Sequence, residues 1–138
     1  MSDSARDRSM IELASAVRDR ESLLGTVIGS AIGAAIAASL FYVFGSVGTV
    51  FVILLVLPSF AVAYGARLLG RPVRLWLRLI PGGVAASVHA VGSVLLFPSA
   101  VAIGLTPASF VIGSYFARAK LTNEEEKALF RQDLRDGS

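Results

Sequence analysis

The sequence predicts an all-α membrane protein: four transmembrane helices in a polytopic bundle, flanked by short cytoplasmic N- and C-terminal helices. Three observations predict it. Hydrophobic residues make up 54% of the 138-residue chain and charged residues only 17%, with a mean hydropathy of +0.68. A soluble domain carries about 25% charge to cover its surface, so much of this surface faces something other than water. The apolar residues also fall into four runs of roughly transmembrane length, and the 13 Lys and Arg lie in three clusters that those runs separate.

Residues 1–22 read as a cytoplasmic amphipathic head. Ser9-Met10-Ile11-Glu12 matches a capping box. Met10, Leu13 and Val17 recur at helical spacing, predicting a short helix on the membrane surface that leads into the first span. The segment carries four Arg and five acidic residues, and the apolar run behind it is too long for the core of a signal peptide.

Residues 23–117 read as the four-helix transmembrane domain, with spans at about 23–44, 47–69, 77–97 and 99–117. A helix rises about 1.5 Å per residue and the hydrocarbon core is about 30 Å thick, so about 20 residues cross it. Gly45-Ser46 and Pro98-Ser99 leave room only for tight turns. The third span is interrupted by Pro81-Gly82-Gly83, which allows two geometries. One is a kinked full span with Arg78 snorkelling to the headgroups; the other is a half-membrane hairpin behind an interfacial Val73–Ile80 helix. The kinked span is the preferred expectation.

Residues 118–138 read as a cytoplasmic polar tail. Thr122-Asn123-Glu124-Glu125 matches a second capping box, and Glu124 and Lys127 stand at i,i+3 spacing.

Charge placement predicts the orientation. Arg6, Arg8, Arg18 and Arg20 precede the first span, and Arg67, Arg71, Arg74 and Arg78 lie between the second and third. Arg118, Lys120, Lys127, Arg131 and Arg135 follow the fourth, and the other two turns are uncharged. The positive-inside rule then puts every basic residue and both termini in the cytoplasm. Phe41, Tyr42, Phe44 and Phe97 would mark the outer interface, and Tyr64, Trp76, Tyr115 and Phe116 the inner one. Eleven of the 13 basic residues are Arg and small residues abound, the usage of a GC-rich bacterial genome, which makes the membrane the plasma (inner) membrane.

A weak internal repeat fits two parallel two-helix halves. Ser59-Phe60 with Tyr64-x-Ala66-Arg67 resembles Ser109-Phe110 with Tyr115-x-Ala117-Arg118, and Pro58 and Pro107 precede the two blocks.

Several function classes are disfavoured. With no cysteine the chain has no disulfide, thiolate metal site or Cys nucleophile. No basic stripe is interleaved with aromatics, so nucleic acid is not an expected partner despite the net charge of +3. The spans hold no carboxylate and no nucleophile–base pair, which predicts no enzyme, no cofactor, no metal and no proton pump.

Three features could carry function. Gly25, Gly29, Gly33 and Ala37, each four residues apart, form a glycine zipper, a smooth face that lets another backbone approach. Its partner is either a second chain or the chain's own third or fourth span. His89 is the one titratable side chain well inside a span. It could meet Ser93, Thr106 and the carbonyls that Pro58 and Pro107 leave free, around Leu54 and Ile103, in a midplane polar site. The plainer alternative is a neutral ring bonding one such carbonyl and holding helices together. Arg67, Arg71, Arg74 and Arg78, with no acid among them, could bind anionic headgroups such as cardiolipin or simply set topology.

The expectation is a small accessory, assembly or regulatory membrane protein acting through helix association, as a homo-oligomer or a complex subunit surrounded by lipid. The alternative is a small oligomeric transporter or channel with its site near His89.

Overall fold

The computed structural model describes residues 3–47, 55–96 and 98–136. Their regular structure is helical throughout: α1 (Asp3–Asp19), α2 (Leu23–Val47), α3 (Pro58–Gly70), α4 (Leu75–Leu96), α5 (Ala100–Gly104), α6 (Thr106–Phe116) and α7 (Asn123–Asp136). The chain divides into two units, one of Ser22–Arg118 and one that joins Met1–Glu21 to Ala119–Ser138.

In the larger unit α2 is continuous for 25 residues and α4 for 22, about 37 and 33 Å at the helical rise. Both are long and apolar enough to cross a membrane. Ser22 starts α2: its hydroxyl accepts from the Gly25 N–H at 2.9 Å, as an N-cap does at the third helical position. The Ser22 N–H in turn donates to Gly70 O at 2.9 Å, which docks the start of α2 on the end of α3.

Two spans expected as continuous helices differ. In the second segment a helix starts at Pro58, behind a 3-10 turn at Leu55–Val56; residues 48–54, with Leu54, lie outside the described residues, as does Phe97. Pro58 takes the first helical position, where its missing N–H is not needed. The 99–117 segment is broken at Leu105 into α5 and α6, because Gly104 weakens the helix and Pro107 cannot donate to Ile103 O. The third segment goes the other way. Pro81 lies inside α4 without ending it, so the half-membrane hairpin is not formed.

Small residues decide the packing. α2 and α3 run antiparallel in backbone contact: a Cβ on Gly29 would strike the Gly65 carbonyl, and one on Gly65 the Gly29 carbonyl. α4 and α6 meet in the same way, Gly82 against Ser114 and Gly113 against Pro81 O and Ala85. Phe41 of α2 lies over Gly92 of α4 and ties the two pairs together. The core is correspondingly small-grained: Ala37, Val62 and Ala85 in one cluster, Ala63, Ala66 and Ala117 in another, and Phe41, Leu55 and Ala102 in a third. Large apolar side chains point outward instead, among them Leu24, Ile28, Ile32 and Ile36 on α2 and Val91, Val94 and Leu95 on α4.

In the smaller unit α1 packs on α7, burying Ala14, Val17, Ala128 and Leu129. Of the apolar line of α1, Val17 is buried, and Met10 and Leu13 are half-buried. Arg18 to Asp133 at 2.7 Å, Arg20 to Glu125 at 3.5 Å and Arg131 to Asp7 at 3.9 Å bridge the pair; exposed pairs contribute about 0.2–1 kcal/mol each. The Ser9 capping box does not form. The helix already starts at Asp3, since Ala5, Arg6 and Arg8 favour it, and Ser9 Oγ donates to Arg6 O. The Thr122 box does form: Thr122 N–H donates to Glu125 Oε2 at 2.8 Å and Glu125 N–H to Thr122 Oγ1 at 3.4 Å. Glu124 and Lys127 pair at 3.7 Å.

Candidate functional site

His89 is fully buried at the middle of α4. Its Nδ1 lies 3.1 Å from Leu55 O and its Nε2 2.9 Å from Ala102 O. Leu55 lies in the 3-10 turn three residues before Pro58, and Ala102 in α5, five residues before Pro107. The Phe41 ring meets the imidazole edge-on, with centroids 5.6 Å apart.

The chemistry of this arrangement follows from counting donors. A carbonyl only accepts, and a neutral imidazole has one N–H. The neutral ring therefore donates to one carbonyl and sets a nitrogen lone pair against the other; only the doubly protonated ring donates to both. Ala102 O also accepts from the Leu105 N–H at 3.2 Å, so it is satisfied in either tautomer. No charged residue occurs in the sequence between Glu21 and Arg67 or between Arg78 and Arg118 to offset a charge on the ring.

The other expected members of the midplane site are only partly gathered. Ser93 is buried one turn along α4, and its hydroxyl has no hydrogen-bond partner. Thr106 Oγ1 is likewise buried and unpartnered at the start of α6. Pro58 is buried, whereas Pro107 faces outward. The carbonyls at the ring, Leu55 O and Ala102 O, neighbour the Leu54 and Ile103 positions around which they were expected; Leu54 itself lies outside the described residues. Ser59, Ser109 and Ser114 add three further buried hydroxyls without partners, so α3, α4 and α6 all carry polar groups inward. The Ser59–Ser109 correspondence was visible in the repeat; their burial was not.

The Gly25–Ala37 face is occupied. α3 covers it: Gly25 abuts Leu69 and Gly70, Gly29 abuts Gly65 and Ala66, Gly33 abuts Ala61 and Val62, and Ala37 is fully buried. This face cannot receive a second chain, and its partner is the second apolar segment, where the third or fourth was expected. Ala61 and Gly65, spaced four apart, were the signal in the sequence for that partner.

The four loop arginines are spread over four settings. Arg67 stacks over the Tyr64 ring at 5.8 Å. Arg71 ends α3 in the left-handed region, φ 47°, a conformation that costs a non-glycine residue about 1–2 kcal/mol. Arg74 is exposed, and Arg78 is half-buried on the first turn of α4, within electrostatic reach of Arg118. Among the described residues no three His, Cys, Asp or Glu side chains gather where they could hold a metal ion.

Among the described residues the fold and these sites define an all-helical protein with two helices of membrane-crossing length and a buried histidine set between the carbonyls of a 3-10 turn and of α5. No protein-family model, curated protein or solved structure matches the chain.

Proposed function

We propose that the protein crosses a bacterial plasma membrane four times with both termini in the cytoplasm, and that it acts without catalysis, as an accessory or assembly component that pairs laterally with other transmembrane helices. One observation carries the membrane reading. The apolar windows of α2 and α4 are each only 28% buried, so these helices turn most of their apolar surface outward. A core helix of a soluble protein hides that surface. Exposing the equivalent of even four large aliphatic side chains to water forgoes about 6–12 kcal/mol, more than half of a typical stability. Hydrocarbon around the bundle removes the deficit.

The association surface in this reading is the outer groove between α2 and α4, since the glycine face is used internally. The groove has a volume of about 430 Å³ and is lined by Phe41, Tyr42, Val88, Val91, Leu95 and Leu96. The absence of cysteine makes the test clean. Single cysteines at Ser46 and Ser99 should label with a membrane-impermeant maleimide from outside whole cells, and one at Lys120 only after lysis. Val91→Cys should form a cross-linked adduct in native membranes, and Leu24→Cys, on the far end of α2, should not. Labelling of Lys120→Cys in intact cells defeats the topology; equal or no adducts at both apolar positions defeat the groove.

A second reading, passage of a small solute through the bundle, draws on the unpartnered hydroxyls of Ser59, Ser93, Thr106 and Ser109 around the helix that carries His89. It expects solute flux in proteoliposomes that His89→Ala changes, and an unchanged flux removes it.

A further inference from the structure

We propose that His89 is a proton-binding site, and that the proton it takes up latches α5 onto the rest of the bundle. α5 is held by little else. Of its five residues Ala102 is buried, whereas Ala100, Val101, Ile103 and Gly104 are exposed. The Ala102 methyl packs with Phe41 and Leu55, and the Ala102 carbonyl reaches His89 Nε2 at 2.9 Å. Both ends of α5 are interrupted: Ser99 before it is extended, and the helix breaks at Leu105 behind it. A Cβ on Gly104 would meet nothing within 4 Å, so the side of the chain next to that break is open.

The ring decides whether the carbonyl bond is made. Its two nitrogens face two acceptors, Leu55 O at 3.1 Å and Ala102 O at 2.9 Å. With two protons the imidazole donates to both and ties α5 and the Leu55 turn to α4. With one proton, a nitrogen lone pair faces an oxygen lone pair at hydrogen-bond distance, and the two repel. The oxygens do not compete equally for the single N–H. Three residues after Leu55, where a 3-10 turn would place its donor, stands Pro58, which has no N–H. Ala102 O, by contrast, keeps the Leu105 N–H at 3.2 Å. The neutral ring therefore holds Leu55 through Nδ1–H and releases Ala102, and α5 with it.

A charge on the ring has these two oxygens to meet it and no acid. The other titratable residues of the surrounding helices are Tyr42 on α2, Tyr64 and Arg67 on α3, Arg78 on α4 and Tyr115 on α6; α5 and residues 48–57 have none. All three tyrosines are exposed. Arg78 lies eleven residues before His89 on α4, and Arg67 nine residues after Pro58 on α3, about 16 and 13 Å along their helices. Hydrogen bonds from a charged donor are roughly twice as strong as neutral ones, and a buried charge is costly without them. Proton and flap thus hold each other. Docked α5 completes the acceptors for the proton, and the proton, bound better by the docked form, shifts the population towards it. The latch needs neither the four crossings nor the lateral pairing proposed above.

The test uses the full chain in phosphatidylcholine nanodiscs, moved between about pH 5 and about pH 8, the range in which histidine changes charge. His89 is the one histidine, so its ring nitrogens give a single pair of signals in nitrogen NMR. The chain has no cysteine, so Val101→Cys on α5 carries a lone nitroxide label, with Val91→Cys on α4 as the control; both positions are exposed. Both ring nitrogens should bear protons at the lower pH, and Nε2 should lose its proton at the higher. Over the same step the Val101 label should gain mobility while the Val91 label keeps its spectrum. His89→Gln has no charge to change, so in it the Val101 label should be indifferent to pH. Ring signals that are the same at both pH values overturn the proposal. So does a ring that titrates under an unmoved Val101 label, and so does a response of that label that Val91 shares or that His89→Gln retains. The ring signals and the two labels are read with His89 in place, and they decide the matter even where His89→Gln does not fold.

Discussion

Replacing Gly29 by alanine adds one methyl group where two backbones touch, and the result should be opposite in sign to the same change at Gly83. A Cβ at Gly29 would lie 2.6 Å from the Gly65 carbonyl carbon and 2.9 Å from Ala66 Cα, all backbone atoms that cannot rotate away. Carbon atoms settle at about 3.5–4.0 Å, so α2 and α3 must separate by about 1 Å, a gap that already forfeits a quarter to a half of each contact's attraction. Gly25, Gly33 and Gly65 share the seam, so the loss spreads along it. Overpacking of this kind costs about 1–3 kcal/mol, against a gain of up to about 1 kcal/mol in helix propensity. The net expectation is a destabilisation of about 1–2 kcal/mol, a 5- to 30-fold loss in the folded-to-unfolded ratio. At Gly83 a Cβ meets nothing within 4 Å, so only the propensity gain remains and Gly83→Ala should stabilise slightly. Titrating both variants from mild detergent into SDS, with far-UV circular dichroism as the readout, measures the two shifts. If Gly29→Ala is as stable as Gly83→Ala, the helices are not in backbone contact and the packing described here is wrong.

His89→Ala should destabilise the same bundle by about 0.6–2 kcal/mol in that titration, with His89→Gln recovering part of it through one restored donor; an unchanged midpoint would mean that the two carbonyls do not depend on the ring. In the α1–α7 unit, Thr122→Ala should cost about 0.5–2 kcal/mol of helix stability, read as lost helicity of α7. Glu125 gives a pH test. Its carboxyl is held below the usual carboxylate range, first by the Thr122 N–H and also by the Thr122 hydroxyl and Arg20, against an opposing effect of burial. A lowered value in the folded state stabilises above the unfolded carboxylate range and is lost as pH falls through the folded one. Melting of this unit should therefore weaken on acidification, and Glu125→Gln should flatten that slope; an identical slope in the variant would refute the assignment.

Much of this was legible in the residues, and the rest failed for identifiable reasons. Hydropathy located α2 and α4 to within a few residues, because long apolar runs leave little choice but a helix. It did not place the breaks in the second and fourth segments, since polarity says nothing about backbone continuity; Pro58 and Gly104-x-x-Pro107 were visible, but as defects within helices and not as the starts of new ones. The convergence on His89 followed from pairing one histidine with two prolines. The 3-10 turn at Leu55–Val56 carries one of the two carbonyls, and no pattern announces such a turn. Tight packing of the glycine face was readable, its partner only through Ala61 and Gly65.

The pairing of α1 with α7 carries a consequence for the order of events in synthesis. α1 leaves the ribosome before any of Ser22–Arg118 and its partner only after all of it, so Ala14 and Val17 stay uncovered until the whole intervening bundle has been made. The smaller unit thus closes only after Ser22–Arg118 has been made. A chain stopped short of α7 keeps an open apolar stripe at its beginning, the kind of surface that chaperones and proteases bind.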